Sequence, residues 1–321
     1  MRLPSIFRTP PPAVSLEITP GRVAAVEVAG RGAGGLRVTA YASEALTPGT
    51  VVPSLVAVNV TDPAALAGAI RRVFGQLGSR PGRASLAVPD AAARVSFVRF
   101  PQVPARASDL ESLIRFQARK TAPFSLEDSQ VSHSRGQRAD GQEFVVIQAK
   151  RDVIREYESA CEAAGASVGM VRLSTLSVAG VVLGGKGAPE GDWLLVQVSD
   201  GGSSLAMYRG EDLVFFRHRG LDGDASLGEL VHQTAMYYQD RLGGGRFARV
   251  VVAGASRPDG TGTAGATVEA RLGMRIEPLD VLQAAAFAGR ISSSADLGDV
   301  LAGPVGLAAT ERMAHRHGRF D

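Results

Sequence analysis

The sequence contains few of the residues on which several classes of protein depend. It has one cysteine, Cys161, among 321 residues, so no disulfide can form within the chain, which is typical of reducing compartments. Cys161 stands near Glu158 and Glu162, whose negative charges oppose formation of a thiolate. We therefore expect Cys161 to be a packing residue and not a nucleophile.

Long apolar runs, a charge excess of one sign and catalytic motifs are also missing. No stretch approaches the ~20 apolar residues that cross a bilayer, and the start, MRLPSIFRTPPP, lacks the apolar core of a signal peptide. A net charge of +3 does not indicate nucleic-acid binding. The five histidines lack metal-ligand spacing, and neither G-x-S-x-G nor H-E-x-x-H occurs. We expect no metal site, no nucleic-acid partner and no membrane span.

Two hairpin-like segments are the most informative features that the sequence does contain. Trp193–Gly220, WLLVQVSDGGSSLAMYRGEDLVFFRHRG, predicts three strands joined by two tight turns, and Ala13–Gly30 is a weaker copy of strand, turn and strand. Such a pair indicates a duplicated fold in which each lobe offers a turn to one ligand. A nucleotide site of this kind needs a carboxylate before each turn, and the chain has Glu17 and Gln197 there.

Between the hairpins the pattern predicts an inserted α+β module. Asp62 and Pro63 open a helix that ends at Gly78, and a strand at 84–89 follows. The module then consists of a strand, a helix opened by a Ser108–Glu111 capping box, two strands and a second helix. Its predicted ranges are Ala93–Phe100, 108–122, Ser129–Arg135, Glu143–Ala149 and 152–165.

Beyond the module the pattern predicts mainly helices around the second hairpin segment. A buried helix over Leu173–Leu183 leads into a glycine-rich hinge at 184–191. Further helices are predicted at 223–242, near 280–288 and at 299–314, with a buried strand at Ala248–Ala253. The order of strands and helices indicates a mixed α/β protein.

Several phrases, in this order, resemble the PilM family of type IV pilus inner-membrane platform proteins. They are Arg94–Ser134 with its KTAPF phrase, Val146–Val181, ELVHQTAMYYQDR, VVVAGAS and RLGMRIEPLD, within residues 13–310. The resemblance implies the actin-like ATPase fold of the FtsA, actin and Hsp70 sugar-kinase superfamily. It has two lobes, each with a mixed five-stranded sheet and flanking helices, and a small α+β inserted subdomain.

The resemblance also implies a division of the chain. Residues 13–88 and 167–191 would form the first lobe, and 89–166 the inserted subdomain. The second lobe would take 192–298, and a helix at 299–315 would return to the first lobe.

The turns depart from the family pattern of Asp-Ile-Gly followed by Ser/Thr-rich residues. The first turn reads Glu17-Ile18-Thr19-Pro20-Gly21, where Pro20 has no amide hydrogen to donate to a phosphate. The second has Gln197 in place of the carboxylate, and Asp200 inside the turn would repel phosphate. We expect ATP and Mg²⁺ binding to be weak or lost and hydrolysis absent. The residues that would bind a retained nucleotide are Glu17, Thr19, Ser199, Gly201, Gly202, Ser203 and Gly254.

The resemblance implies a structural adaptor. Its expected partner is the cytoplasmic N-terminal peptide of a PilN-like bitopic membrane protein, and through it a PilO-like protein, with self-association possible; the location would be cytoplasmic, peripheral at the inner membrane. The candidate groove residues are Val95, Phe97, Phe100, Arg115 and Arg119. Two alternatives stay open: an active actin-like ATPase, and a GspL- or MshI-like component of a related machine. Those relatives commonly continue into a membrane anchor, and this sequence stops at Asp321 without one.

Overall fold

The architecture is given by a computed structural model. It describes residues 10–29, 35–121, 123–136, 142–185, 190–221, 226–259, 262–288 and 295–317. The predicted hinge at 184–191 lies partly outside these residues.

The described strands and helices alternate along the whole chain. The strands are β1 (Val14–Ile18), β2 (Arg22–Ala29), β3 (Leu36–Ala45), β4 (Arg83–Val88), β5 (Ala93–Arg99), β6 (Ser129–Arg135), β7 (Glu143–Lys150), β8 (Ser167–Leu173), β9 (Asp192–Ser199), β10 (Gly202–Arg209), β11 (Asp212–Arg219), β12 (Arg249–Ala253), β13 (Glu277–Pro278) and β14 (Ala285–Phe287). The helices are α1 (Pro63–Leu77), α2 (Ala107–Thr121), α3 (Arg151–Ala163), α4 (Ser174–Gly184), α5 (Leu227–Leu242), α6 (Ala264–Leu272) and α7 (Ala295–His317).

The first sheet is mixed and has the strand order β14-β3-β2-β1-β4-β8. Alternation along β1 sends Leu16 and Ile18 into the core formed with α1 and α3. Glu17 points to the opposite face, where α4 and α7 pack. The polar residue before the first turn is therefore buried between the sheet and these two helices.

The second sheet has the order β11-β10-β9-β12-β13 and two apolar faces. One face packs against α5 and α6. The other, which includes Trp193 stacked on Tyr208 at 4.4 Å between ring centroids, shares one core with α4, α7 and strands of the first sheet. This common core joins the two sheets and brings the ends of β1 and β9 together.

The insertion is a three-stranded antiparallel sheet in the order β5-β7-β6, covered on one face by α2. Its small core contains Phe100, Phe144 and Val146 of the sheet with Ile114 of α2. Val95 and Ile147 point to the other face and pack at the edge of the first-sheet core. The two faces of this sheet therefore have different neighbours.

The structure confirms most of the predicted elements. Asp62 caps α1 by accepting the amide of Ala65, and Pro63 is the first residue of the helix. Both hairpins form as predicted. Cys161 is buried, and burial with the charges of Glu158 and Glu162 raises its pKa to about 12, consistent with a packing role.

Three details differ from the expectation. Ser108 forms no capping box, because α2 begins one residue before it and the Ser108 hydroxyl donates to Asp109. A capping box does form at the start of α5, between Ser226 and Glu229. Residues 167–173, where the sequence pattern predicted no strand, form β8 beside β4.

Residues 280–288 are not a helix. They contain a three-residue helical turn, Val281–Gln283, and then β14, which pairs with β3. The first sheet therefore has six strands instead of five, and a segment that we assigned to the second lobe completes it.

Candidate functional site

The β1–β2 turn and the β9–β10 turn face each other at the junction of the two sheets. A methyl group added to Gly21 would lie 2.5 Å from Asp200 Oδ2, and one added to Gly201 would lie 3.5 Å from Pro20 Cγ. The cavity between the turns has a volume of about 20 Å³, about that of one water molecule. Its lining includes Glu17, Gln197 and Ser199. The two turns therefore approach each other closely at this junction.

Hydrogen bonds within the first turn occupy groups that a phosphate would need. The amide of Thr19 donates to Arg22 O at 2.9 Å, and the amide of Arg22 donates to Thr19 Oγ1 at 3.1 Å. Pro20 has no amide hydrogen. Thr19 therefore closes the turn on itself, and it is almost fully buried.

The second turn is closed in a similar way. The amide of Gly201 donates to Ser199 Oγ at 3.3 Å, and that hydroxyl donates to Gly202 O at 3.3 Å. Gly202 has a φ of +123°, and a methyl group there would lie 2.1 Å from Arg219 O of β11. Close packing against β11 therefore explains why residue 202 is a glycine. Ser203 follows on β10, opposite Val198 and Arg219.

Ser174, at the start of α4, joins the two residues that precede the turns. Its hydroxyl donates to Glu17 Oε1 at 2.5 Å and accepts from Gln197 Nε2 at 2.9 Å. The sequence pattern placed Glu17 and Gln197 in equivalent positions but did not indicate Ser174. Three buried, hydrogen-bonded side chains therefore occupy the place where a pair of carboxylates supporting a metal ion would lie.

The third glycine of the predicted set, Gly254, is hydrogen-bonded to α7. Its amide donates to Asp299 Oδ1 at 2.8 Å. The backbone oxygen of Asp299 accepts from Arg22 Nη2 at 3.3 Å. The C-terminal helix thus contacts both the first hairpin and the glycine loop after β12.

No group of three or more His, Cys, Asp or Glu side chains within the described ranges is placed to hold a metal ion. In the same part of the chain no helix combines the length and apolarity needed to span a bilayer.

Comparison with protein families gives a match that covers more than half of the chain. The model of the type IV pilus assembly protein PilM matches residues 15–240, which include both turns and the whole insertion. This chain belongs to the PilM family.

A solved structure agrees with the PilM family fold. The chain is similar to a PilM–PilN type IV pilus biogenesis complex, with a TM-score of 0.78 and 18% identity over 93% of this chain and 98% of that chain. The ethanolamine utilization protein EutJ from Carboxydothermus hydrogenoformans gives a TM-score of 0.49 and 11% identity over 94% and 90% of the two chains. The cytoplasmic domain of EpsL from Vibrio cholerae gives 0.47 and 12% over 75% and 81%. The comparison with curated proteins gives no match.

The five groove residues predicted from the PilM resemblance do not share one surface. Val95 and Phe97 are half-buried on β5 and point away from α2. Phe100 is 3% exposed inside the small core. Arg115 and Arg119 lie on α2, which covers the opposite face of the sheet, and Arg115 pairs with Glu111 at 3.1 Å. The strand alternates its side chains between faces, so a contiguous sequence segment was split between two surfaces.

A buried polar cluster between the lobes was not predicted from the sequence. Asp90, just after β4, accepts from the amide and hydroxyl of Thr175 at 3.1 and 2.5 Å, and from Ser204 Oγ at 2.6 Å. The Ser204 hydroxyl has one hydrogen, so His218 Nδ1, 2.9 Å away, donates to Ser204. Burial lowers the pKa of His218 although Asp90 opposes this. The cluster ties the start of the insertion to α4 and the second sheet.

Burial between the first sheet and α7 controls the ionisation of Glu17. It raises the pKa of this carboxyl above its ordinary value of 4.5, and Arg22 and Ser174 offset part of the shift. A raised folded-state pKa contributes stability that is full below about pH 4.5 and is lost as the pH rises through the folded value.

We expect Glu17→Gln to remove this contribution, because the neutral amide has no proton to lose. The free energy of unfolding of the wild type, relative to the variant, should therefore fall as the pH rises above about 4.5 in urea titrations. A difference that grows with pH would show that Glu17 is stabilised as a carboxylate.

Proposed function

We propose that this protein is a non-catalytic adaptor of a type IV pilus assembly platform that binds the N-terminal peptide of a PilN-like membrane protein. Membership of the PilM family and the similarity to a PilM–PilN complex support the choice of machine and partner. The observation that carries the non-catalytic part is the closure of both turns by their own hydrogen bonds. Through the PilN-like protein the adaptor would reach a PilO-like protein.

We place the peptide on the face of the insertion that α2 leaves uncovered. There Val95 pairs with Ile147 and Phe97 with Val145, so four apolar side chains are adjacent. Only Val145 of these is fully buried. Phe97 is half-buried and is not among the residues of the apolar cores in the described part of the chain.

A loop of the first lobe contacts the end of β7. The backbone oxygen of Val56 accepts from Lys150 Nζ at the end of β7, at 3.3 Å. Val56 and Val58 in this loop are 46% and 63% exposed. Exposed apolar side chains of this kind suit a peptide that buries alternate residues.

An unpaired strand edge adds a second kind of contact. Among the described strands β5 forms a ladder only with β7, and β11 of the second sheet lies near β5 without pairing with it. A peptide in extended conformation gains backbone hydrogen bonds at such an edge, while side-chain pockets provide specificity.

Phe97→Ser tests this placement directly. We expect the dissociation constant for a peptide copying the partner's N-terminus to rise at least about tenfold, because an aromatic anchor near the centre of an interface contributes more than about 1.4 kcal/mol. Fluorescence anisotropy with the full chain measures it.

Phe116→Ser is the matched control, because Phe116 is 55% exposed on α2, on the other side of the insertion. It should leave the affinity unchanged. Loss of binding in Phe116→Ser or in Arg115→Ala/Arg119→Ala, with normal binding in Phe97→Ser, would move the groove to α2.

A further inference from the structure

An acidic side chain occupies the space between the two turns and bridges two arginines. Asp200, in the β9–β10 turn, has Oδ2 3.6 Å from Arg22 Nη1 of β2. Its other oxygen, Oδ1, contacts Arg257 Nη2 in the loop after β12. Each carboxylate oxygen therefore has its own guanidinium, one from a strand of the first sheet and one from the loop that follows a strand of the second sheet.

The carboxylate lies where the two turns would share an anionic ligand. It borders the backbone of Gly21, since a methyl group there would lie 2.5 Å from Asp200 Oδ2 and 3.0 Å from its Cγ. Arg22 and Arg257 also line the small cavity beside the turns. Guanidinium pairs bind carboxylates and phosphates through the same donor geometry.

We propose that Arg22 and Arg257 form an anion site which the chain fills with its own Asp200. The ligand class that fits is a diphosphate group, free or carried by a nucleotide. This inference rests on the proposed loss of nucleotide binding and gives its cause: Asp200 is attached to the site and competes at a high effective concentration.

Glu17 and the backbone of Asp299 also contact Arg22 and limit what Asp200 alone controls. Glu17 Oε2 is 3.7 Å from Arg22 Nη2, and the backbone oxygen of Asp299 accepts from that same nitrogen. Both engage Arg22. Arg257 makes its contact with Asp200, so neutralising Asp200 acts most strongly on Arg257.

Asp200→Asn tests the proposal because it removes the charge and keeps the shape. Magnesium-free pyrophosphate and ADP are titrated separately into the full chain by calorimetry at low ionic strength. We expect no heat from the wild type at millimolar ligand. The variant should bind both ligands at least tenfold more tightly, and adding Arg257→Gln to Asp200→Asn should abolish the gain.

Asp152→Asn is the matched control, because Asp152 is an exposed partner of Arg155 outside the cleft, 3.7 Å away. It should show no gain, which separates the site from the change in net charge. Asp200→Ser is the second variant, should the amide perturb the fold. Equal affinity in wild type and variants, no binding by either Asp200 variant, or binding of ADP without pyrophosphate would overturn the proposal.

The two ideas fail separately. Hydrolysis of Mg-ATP by the wild type would contradict the proposed non-catalytic state. Absence of a gain in the Asp200 variants, with no wild-type binding, would leave the adaptor intact and remove only the self-filled anion site.

Discussion

Gly306→Ala is expected to lower the free energy of unfolding by about 3 kcal/mol, because α4 and α7 touch through their backbones at this point. A methyl group on Gly306 would lie 2.0 Å from Ser177 O, and one on Gly180 of the facing helix would lie 2.1 Å from Gly306 O. Backbone atoms cannot rotate away as a side chain can. The helices would have to separate, which opens the core that joins the two sheets. Urea unfolding followed by circular dichroism measures the loss.

Gly298→Ala provides a control in the same helix with the opposite sign. Nothing lies within 4 Å of the position that its methyl group would take. Alanine favours helix over glycine by about 0.8–1.0 kcal/mol, so this variant should be slightly more stable than the wild type. Equal effects of the two substitutions would contradict the close contact of α4 with α7.

Asp90→Ala is expected to cost a similar amount, also about 3 kcal/mol, through unsatisfied polar groups. Asp90 is 6% exposed and accepts three hydrogen bonds, from Thr175 N, Thr175 Oγ1 and Ser204 Oγ. Alanine would leave these donors buried without an acceptor. Because Asp90 joins the insertion to both lobes, the variant should also be cleaved faster by trypsin near 90–100.

Asp90→Asn keeps one oxygen acceptor, and the two hydroxyls are able to rotate toward its amide group. It should therefore lose less than half as much stability as Asp90→Ala. A loss equal to that of alanine would show that the charge, and not the hydrogen-bond count, holds the junction together.

The sequence predicted the elements whose patterns are local. The turns around Pro20 and Gly201, the Asp62 cap and the strands of the insertion follow from spacing and turn chemistry within a few residues. The family phrases supplied the order of the lobes, which local patterns do not determine.

The side chains that determine the chemistry of the cleft are held by contacts between residues that are far apart in the sequence. Ser174 meets Glu17 across 157 positions, and Arg257 meets Asp200 across 57. In a single sequence, no local pattern indicates which distant residue a serine or an arginine will contact. The predicted groove residues are divided between two surfaces for a related reason, since Val95 and Arg115 are near in sequence but lie on opposite sides of one sheet.

β14 shows the same limit for the fold itself. Ala285–Phe287 is three residues long, and the surrounding alanine-rich segment has the composition of a helix. Pairing with β3 overrides that preference, because the edge of the first sheet offers hydrogen bonds to any extended segment that reaches it.

The central claim is that this chain binds its partner without using nucleotide. The most direct test titrates the N-terminal peptide of the PilN-like protein into the full chain by calorimetry, with and without millimolar Mg-ATP. We predict the same dissociation constant in both titrations, within about twofold, and no heat from Mg-ATP alone. A peptide affinity that rises tenfold or more when Mg-ATP is present would contradict the account.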